Sequence, residues 1–206
     1  DRLGSKGAYS VIGPIWARAA ASPLSTYKFF AGEGGIRVPL IISGVPNMVK
    51  DGSPRIHQSL THVNDIVPTL LDLAKVQHPG TTYKGQAIYP LTGHSLLPVI
   101  SGTAKRVRGP DEVLGYELSG NKALFKGDYK IVINGAGQGE TAWHLFNIKA
   151  DPGESRDLAG EQPELLSEMV AGYDSYVQAN NVLPMPENYD RSGQILGDAL
   201  RQLRRQ

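Results

Sequence analysis

The chain has no cysteine among its 206 residues. That excludes disulfides, thiolate metal sites and a cysteine nucleophile, although it leaves the compartment open. It also has no excess of charge: a formal net charge of +1 offers no basic surplus to displace counterions from phosphates, so a nucleic-acid partner is not expected. No apolar run approaches the roughly 20 residues that span a bilayer, so no membrane partner is expected either. No secretory leader is visible, and Asp1 in place of methionine is the opening expected of a processed or truncated product. What remains, with 40% hydrophobic and 20% charged residues, is the composition of a soluble globular protein: one domain, or a large piece and a small one.

The stretch around which the rest is organised is Lys28-Phe29-Phe30-Ala31-Gly32-Glu33-Gly34-Gly35-Ile36-Arg37-Val38-Pro39, followed by Leu40-Ile41-Ile42. Adjacent glycines allow conformations that a Cβ disfavours and let the chain pass close to a ligand. The run from Val38 to Ile42 reads as a short buried strand, with Pro39 near its start where a missing N–H is tolerated. A lysine and an arginine converging on a glycine turn before a core strand suit an oxyanion. The same residues also fit a surface lysine beside a structural turn.

Ahead of this stretch, residues 1–27 are rich in Gly, Ser, Ala and Pro and read as a long irregular approach. After it, Ser43 to Pro54 is a polar turn region. Asp65 is placed to cap a helix with Pro68 in its first turn, and Ile66, Leu70, Leu73 and Ala74 recur at helical spacing as a buried face. His57 and His62 are off the i, i+4 spacing that sets two ligands on one helical face, and read as solvated or capping residues. Gly102 to Pro110 reads as a linker in which Lys105, Arg106 and Arg108 are exposed.

From residue 111 the period changes. Val113–Leu118, 123–126, Tyr129–Ile133 and 143–148 read as short strands, with Gly127-Asp128 as a two-residue hairpin turn. Gly135 to Gly139 resembles a phosphate-cradling loop but has no helix after it, so a hairpin loop is the better reading. Pro163 opens a helix with the apolar face Leu166, Met169, Val170, Tyr173 and Tyr176/Val177. The segment 181–206 ends in an arginine-rich helix candidate with an apolar stripe, Ile195, Leu196, Ala199, Leu200 and Leu203. It is expected to act as an intermolecular or interdomain arm, with association into a homo-oligomer as one use of it.

Taken together, four segments resemble the sulfatase family, and bacterial arylsulfatases in particular, in the family's order. They are the Lys28-to-Pro39 stretch, the Val63-to-Leu71 helix, Gly93-His94-Ser95-Leu96-Leu97-Pro98, and Lys126-Gly127-Asp128-Tyr129 through Trp143-His144-Leu145-Phe146-Asn147-Ile148 to Asp151-Pro152-Gly153-Glu154. The resemblance runs from about residue 3 to residue 180. It implies an α/β fold: the C-terminal portion of an alkaline-phosphatase-like domain over 1–102. It implies next an α+β subdomain over 103–180, a four-stranded antiparallel sheet with one packed helix, and then the tail 181–206. It implies hydrolysis of a sulfate monoester, with Lys28 as the catalytic-site and substrate-binding residue and with Glu33, Gly34, Gly35 and Arg37 as the structural turn that supports it. The compartment stays open between bacterial periplasm and cytoplasm.

The resemblance further implies a formylglycine nucleophile and a calcium ion. Neither Ser22-Pro23 nor Ser53-Pro54-Arg55 fits the nucleophile motif, and no paired-aspartate metal segment is present. Nucleophile and metal ligands are therefore expected in a missing N-terminal part of the catalytic domain, and no metal ligand is assigned here. By itself the chain is expected to be inactive. Two other readings stay open: a phosphate or phosphonate monoester hydrolase of the same superfamily, which shares the Asp65-to-Ala74 helix, and a non-catalytic binding or assembly module.

Overall fold

A computed structural model describes residues 5–6, 12–44, 56–134, 140–186 and 189. The chain divides into two compact units, one of residues 1–39 and 113–206 and one of residues 40–112. Among the described residues no helix is long and apolar enough to cross a membrane.

The first unit is built on a four-stranded antiparallel sheet in simple sequence order: β3 (Val113–Leu118), β4 (Asn121–Lys126), β5 (Tyr129–Ile133) and β6 (His144–Asn147). Gly127-Asp128 turns β4 into β5 as expected, with Lys126 opposite Tyr129. A second tight turn, Ser119-Gly120, joins β3 to β4. Both of its residues have positive φ, the geometry that matches the twist of a hairpin.

Because side chains alternate across a strand, this sheet has two working faces. Leu124, Ile131 and Leu145 project to one side and pack on Met169 and Tyr173 of α5 (Pro163–Ala179). Trp143 and Tyr173 meet edge to face at 4.9 Å between ring centroids. On this face the expected apolar helix is observed, with Met169 and Tyr173 buried and Leu166, Val170, Tyr176 and Val177 packed around them. The opposite face carries Asn121, Ala123, Phe125, Lys130 and Val132, all buried. It receives the stretch from Phe29 into the one-turn helix α2 (Glu33–Ile36), which follows α1 (Gly13–Ala21) in the chain.

Two expectations fail in this segment. Residues 13–21 are helical rather than irregular: Pro14 lies in the first turn, where its missing N–H costs little, and alanines fill the remainder. Val38 to Ile42 is not a buried strand. No strand among the described residues pairs with it, and Val38 and Ile41 are 78% and 87% exposed.

The second unit contains a 3-10 turn (Val63–Asp65), α3 (Ile66–Ala74), a small hairpin of β1 (Thr82–Tyr83) and β2 (Gln86–Ala87), and α4 (Leu97–Ile100). Here the predicted burial is reversed. Ile66, Leu70 and Leu73 are exposed, and Thr69 is the buried residue of α3. Its hydroxyl donates to Asp65 O at 2.6 Å and accepts from Leu96 N–H at 2.8 Å, so the inward face of α3 is polar. Asp65 does not cap α3 with its side chain. Arg108, expected in an exposed linker, is buried against it, while Lys105 and Arg106 are exposed. The glycine loop 135–139 and the helix candidate beyond residue 190 lie outside the described residues.

Candidate functional site

Lys28 stands on a turn between two residues whose backbones are left-handed, Thr26 (φ 60°) and Phe29 (φ 84°). For a β-branched and a bulky aromatic residue such angles are outliers, each costing roughly 1–3 kcal/mol, and they persist only where surrounding contacts over-determine them. The Lys28 side chain is exposed, its ammonium 5.2 Å from the centroid of the Phe29 ring.

The contacts that hold this turn come from the sheet. Asn121, at the start of β4, donates from Nδ2 to Phe29 O at 2.7 Å, pinning one strained residue. Asn134, just past β5, accepts from Ala31 N–H at 2.6 Å. Glu154 reaches both ends of the segment. Its Oε2 accepts from the Ser25 hydroxyl and from Glu33 N–H, the latter at 2.8 Å, so it serves as a remote cap on α2. The other oxygen of Glu154 takes Lys130 Nζ at 2.7 Å, and Lys130 also reaches Glu33 Oε1 at 3.1 Å.

Lys130 has no exposed surface, and its ammonium also lies 5.2 Å from the Phe125 ring centroid. A charge so placed needs hydrogen-bonded partners of opposite sign, and the two glutamates supply them. Glu154 itself has positive φ (52°) in a turn organised by Asp151. The Asp151 carboxylate accepts from Ser155 N–H at 2.7 Å and Arg156 N–H at 2.9 Å. Those backbone donors, Arg156 foremost, hold its carboxyl below the usual range.

The five residues marked by the sequence fall together here in different roles. Glu33 is buried at the start of α2, and Arg37, half exposed, sits 3.6 Å from its second oxygen. Gly34 and Gly35 lack left-handed φ; close approach to the protein's own backbone requires them. A Cβ on Gly34 would lie 2.6 Å from Ser25 O, and one on Gly35 would lie 2.2 Å from Phe30 O. Asn121, Lys130 and Asn134 carry no mark in the sequence as site residues, and Glu154 is marked only as the end of Asp151-Pro152-Gly153-Glu154. A signal existed for Lys130, a charged residue inside the apolar strand Tyr129–Ile133.

The second unit has its own polar hub. Asp65, fully buried, accepts from Arg108 Nη2 at 2.6 Å and Nη1 at 2.8 Å, from His62 N–H at 2.7 Å and from His94 N–H at 2.9 Å. Burial pushes its carboxyl up, but the hydrogen bonds from Arg108, His94 and His62 outweigh that and hold it low. His94 and Glu112 meet at 2.5 Å beside it. Among the described residues no set of three or more His, Cys, Asp or Glu side chains is arranged to hold a metal ion.

No protein-family model matches the chain. It is 33% identical over 190 residues to an uncharacterized sulfatase of Schizosaccharomyces pombe, covering 92% of this chain and 33% of that protein. To an arylsulfatase of Klebsiella aerogenes it is 33% identical over 97 residues, 47% of this chain and 20% of the relative. The chain thus spans a third or less of the length of these curated relatives. Among solved structures, Ps i-CgsB in complex with k-i-k-neocarrahexaose superposes with a TM-score of 0.60 at 24% identity, over 88% of this chain and 36% of that one. The shared fold is the alkaline-phosphatase-like one, here with a four-stranded antiparallel sheet and its helices. On these likenesses, the chain belongs to the sulfatase family.

Proposed function

We propose that this chain is the C-terminal part of a sulfuric ester hydrolase and that Lys28 binds the sulfate group of its substrate. The observation that carries the reading is the turn itself: an exposed lysine between two left-handed, non-glycine residues. Stored backbone strain gathers where a side chain must be aimed, and an ammonium held at a fixed point is suited to charge that builds on a sulfate oxygen or a leaving oxygen. In this reading the calcium and the formylglycine nucleophile lie in the N-terminal part of the catalytic domain, outside this chain. This chain's own contribution is to bind and orient the sulfate ester. Glu33, Gly34, Gly35 and Arg37 form the structural support and take no part in the chemistry.

The test is Lys28→Ala in the complete polypeptide, assayed on an aryl sulfate. Losing one preorganised donor lowers kcat/KM by on the order of 10²–10³. The melting temperature should stay where it was, since the side chain is exposed. An unchanged kcat/KM would overturn the assignment. If the activity lost were instead toward a phosphate monoester, the reaction would move to phosphorus.

A further inference from the structure

Three features of the Lys28 turn are unusual together: two left-handed residues, a glycine pair that leaves no room for a Cβ, and a fully buried lysine beneath it with two glutamates. The polar groups that span the turn come from residues 121 to 154, far along the chain. Glu154 is the one that reaches both ends, Ser25 and Glu33, from 129 and 121 positions away. We propose, building on the sulfate-binding reading of Lys28, that Glu154 is a positioning residue. With Lys130 behind it, its carboxylate sets the path of residues 25–33 and so the place of the Lys28 ammonium. The antiparallel sheet is then the template on which the binding turn is cast.

The physical argument is one of constraint. The turn has one ring contact of its own, Tyr27 edge to face on Phe30 at 5.1 Å between centroids, while Lys28 and Phe29 are exposed. Backbone bonds close it locally, Gly34 N–H to Ser25 O at 2.7 Å and Phe30 N–H to Tyr27 O at 3.1 Å, and the side chains of Asn121, Asn134 and Glu154 tie it to the rest of the unit. Lys130 Nζ donates to Glu154 Oε1 at 2.7 Å and so directs the carboxylate, and Asp151 fixes the left-handed turn from which Glu154 projects. Replacing the carboxylate by an amide preserves shape but removes the charge on which Lys130 bonds.

A double-mutant cycle on the complete polypeptide tests this. With Lys28 present, Glu154→Gln should lower kcat/KM on an aryl sulfate by about 10- to 100-fold, the scale of a misplacement of roughly 1 Å. In a Lys28→Ala background the same change should cost less than about threefold, because the group being positioned is gone. Fully additive losses would overturn the proposal. A companion measurement does not depend on activity: in Glu154→Gln, hydrogen exchange at the amides of Ala31, Glu33 and Gly34 should quicken, and unchanged exchange would also overturn it. If Lys28→Ala alone left kcat/KM unchanged, the sulfate-binding reading would fall, while the exchange data would still judge whether Glu154 holds the turn. Should Glu154→Gln fail to fold, Glu154→Asp, which keeps the charge but shortens its reach to Ser25 and Glu33 N–H, enters the same cycle with the same expected outcomes.

Discussion

Arg108 closes two parallel hydrogen bonds on Asp65, Nη2 to Oδ1 at 2.6 Å and Nη1 to Oδ2 at 2.8 Å, across 43 positions and with neither side chain more than 5% exposed. The pair joins the 3-10 turn at the head of α3 to the segment that follows α4, and His62 and His94 add their backbone N–H groups to the same carboxylate.

Cutting one half of such a pair leaves the other charge buried and alone. Arg108→Ala should therefore cost about 3–5 kcal/mol in urea unfolding. Arg108→Lys should recover only part of that, because an ammonium cannot present the guanidinium's fork. The pH dependence has a definite sign. With its folded pKa lowered, Asp65 contributes stability above its unfolded value, and that contribution is lost as pH falls through the folded one. A midpoint in Arg108→Ala matching the unaltered protein would refute the assignment.

The glycine pair gives a sharper steric test. A Cβ at Gly35 would meet Phe30 O at 2.2 Å and Tyr27 O at 2.7 Å, both backbone atoms that cannot swing aside. Gly35→Ala should destabilise by roughly 1–3 kcal/mol through forced backbone movement. It should also disturb the Lys28 turn, which contains both of those carbonyls. Gly160→Ala, at a position with open space, serves as the control and should be near neutral. Equal effects at the two positions would argue against the close approach.

What could be read from the chain followed the reach of each interaction. The strands of the sheet, their Gly127-Asp128 turn and the apolar face of α5 were legible because period and turn chemistry are local. Gly34 and Gly35 were legible as special, but the reason differed: their neighbours are backbone carbonyls of the same turn. The Lys130 cluster was not read, since its partners Glu33 and Glu154 lie 97 and 24 positions away and no local pattern joins them. Arg108 was misread for the same cause, its charge being paired with a residue 43 positions back. On α3 the helical period was right, but in this chain the apolar face is exposed and it is Thr69 that is tied inward, by two hydrogen bonds.

His144 offers a test of pH dependence at the end of the sheet. Its Nδ1 lies 2.7 Å from Asp157 Oδ2, and its Nε2 lies 3.4 Å from Glu140 Oε1. Partial burial lowers its pKa, but Asp157 and then Glu140 favour the cation more strongly, and the net shift is upward. Asp157 is shifted downward: burial raises it, and the N–H groups of Leu145 and Ala159 with His144 outweigh that. A raised histidine stabilises fully below its unfolded pKa, about 6.5, and that gain is lost as pH rises through the higher folded value. The lowered aspartate acts from the other side, its gain present above its unfolded pKa and lost as pH falls. His144→Gln should flatten the stability profile between about pH 6 and 8, the range in which a raised histidine titrates. A profile that kept its slope there would assign the dependence to another group.

The exposed apolar residues of the second unit carry the last expectation. Ile41 is 87% exposed, Ile56 88% and Leu70 58%. Under the proposed reading they are covered by the N-terminal part of the catalytic domain, and the consequence is a difference between two polypeptides. In this chain alone, Leu70→Gln and Ile41→Thr should leave the unfolding midpoint nearly unchanged and should weaken the binding of an apolar dye. In the complete polypeptide the same changes should each cost about 1.5–3 kcal/mol, the worth of burying one such side chain. Equal, small effects in both would mean that these residues face water in the whole protein, and the reading of this surface as an internal seam would have to be given up.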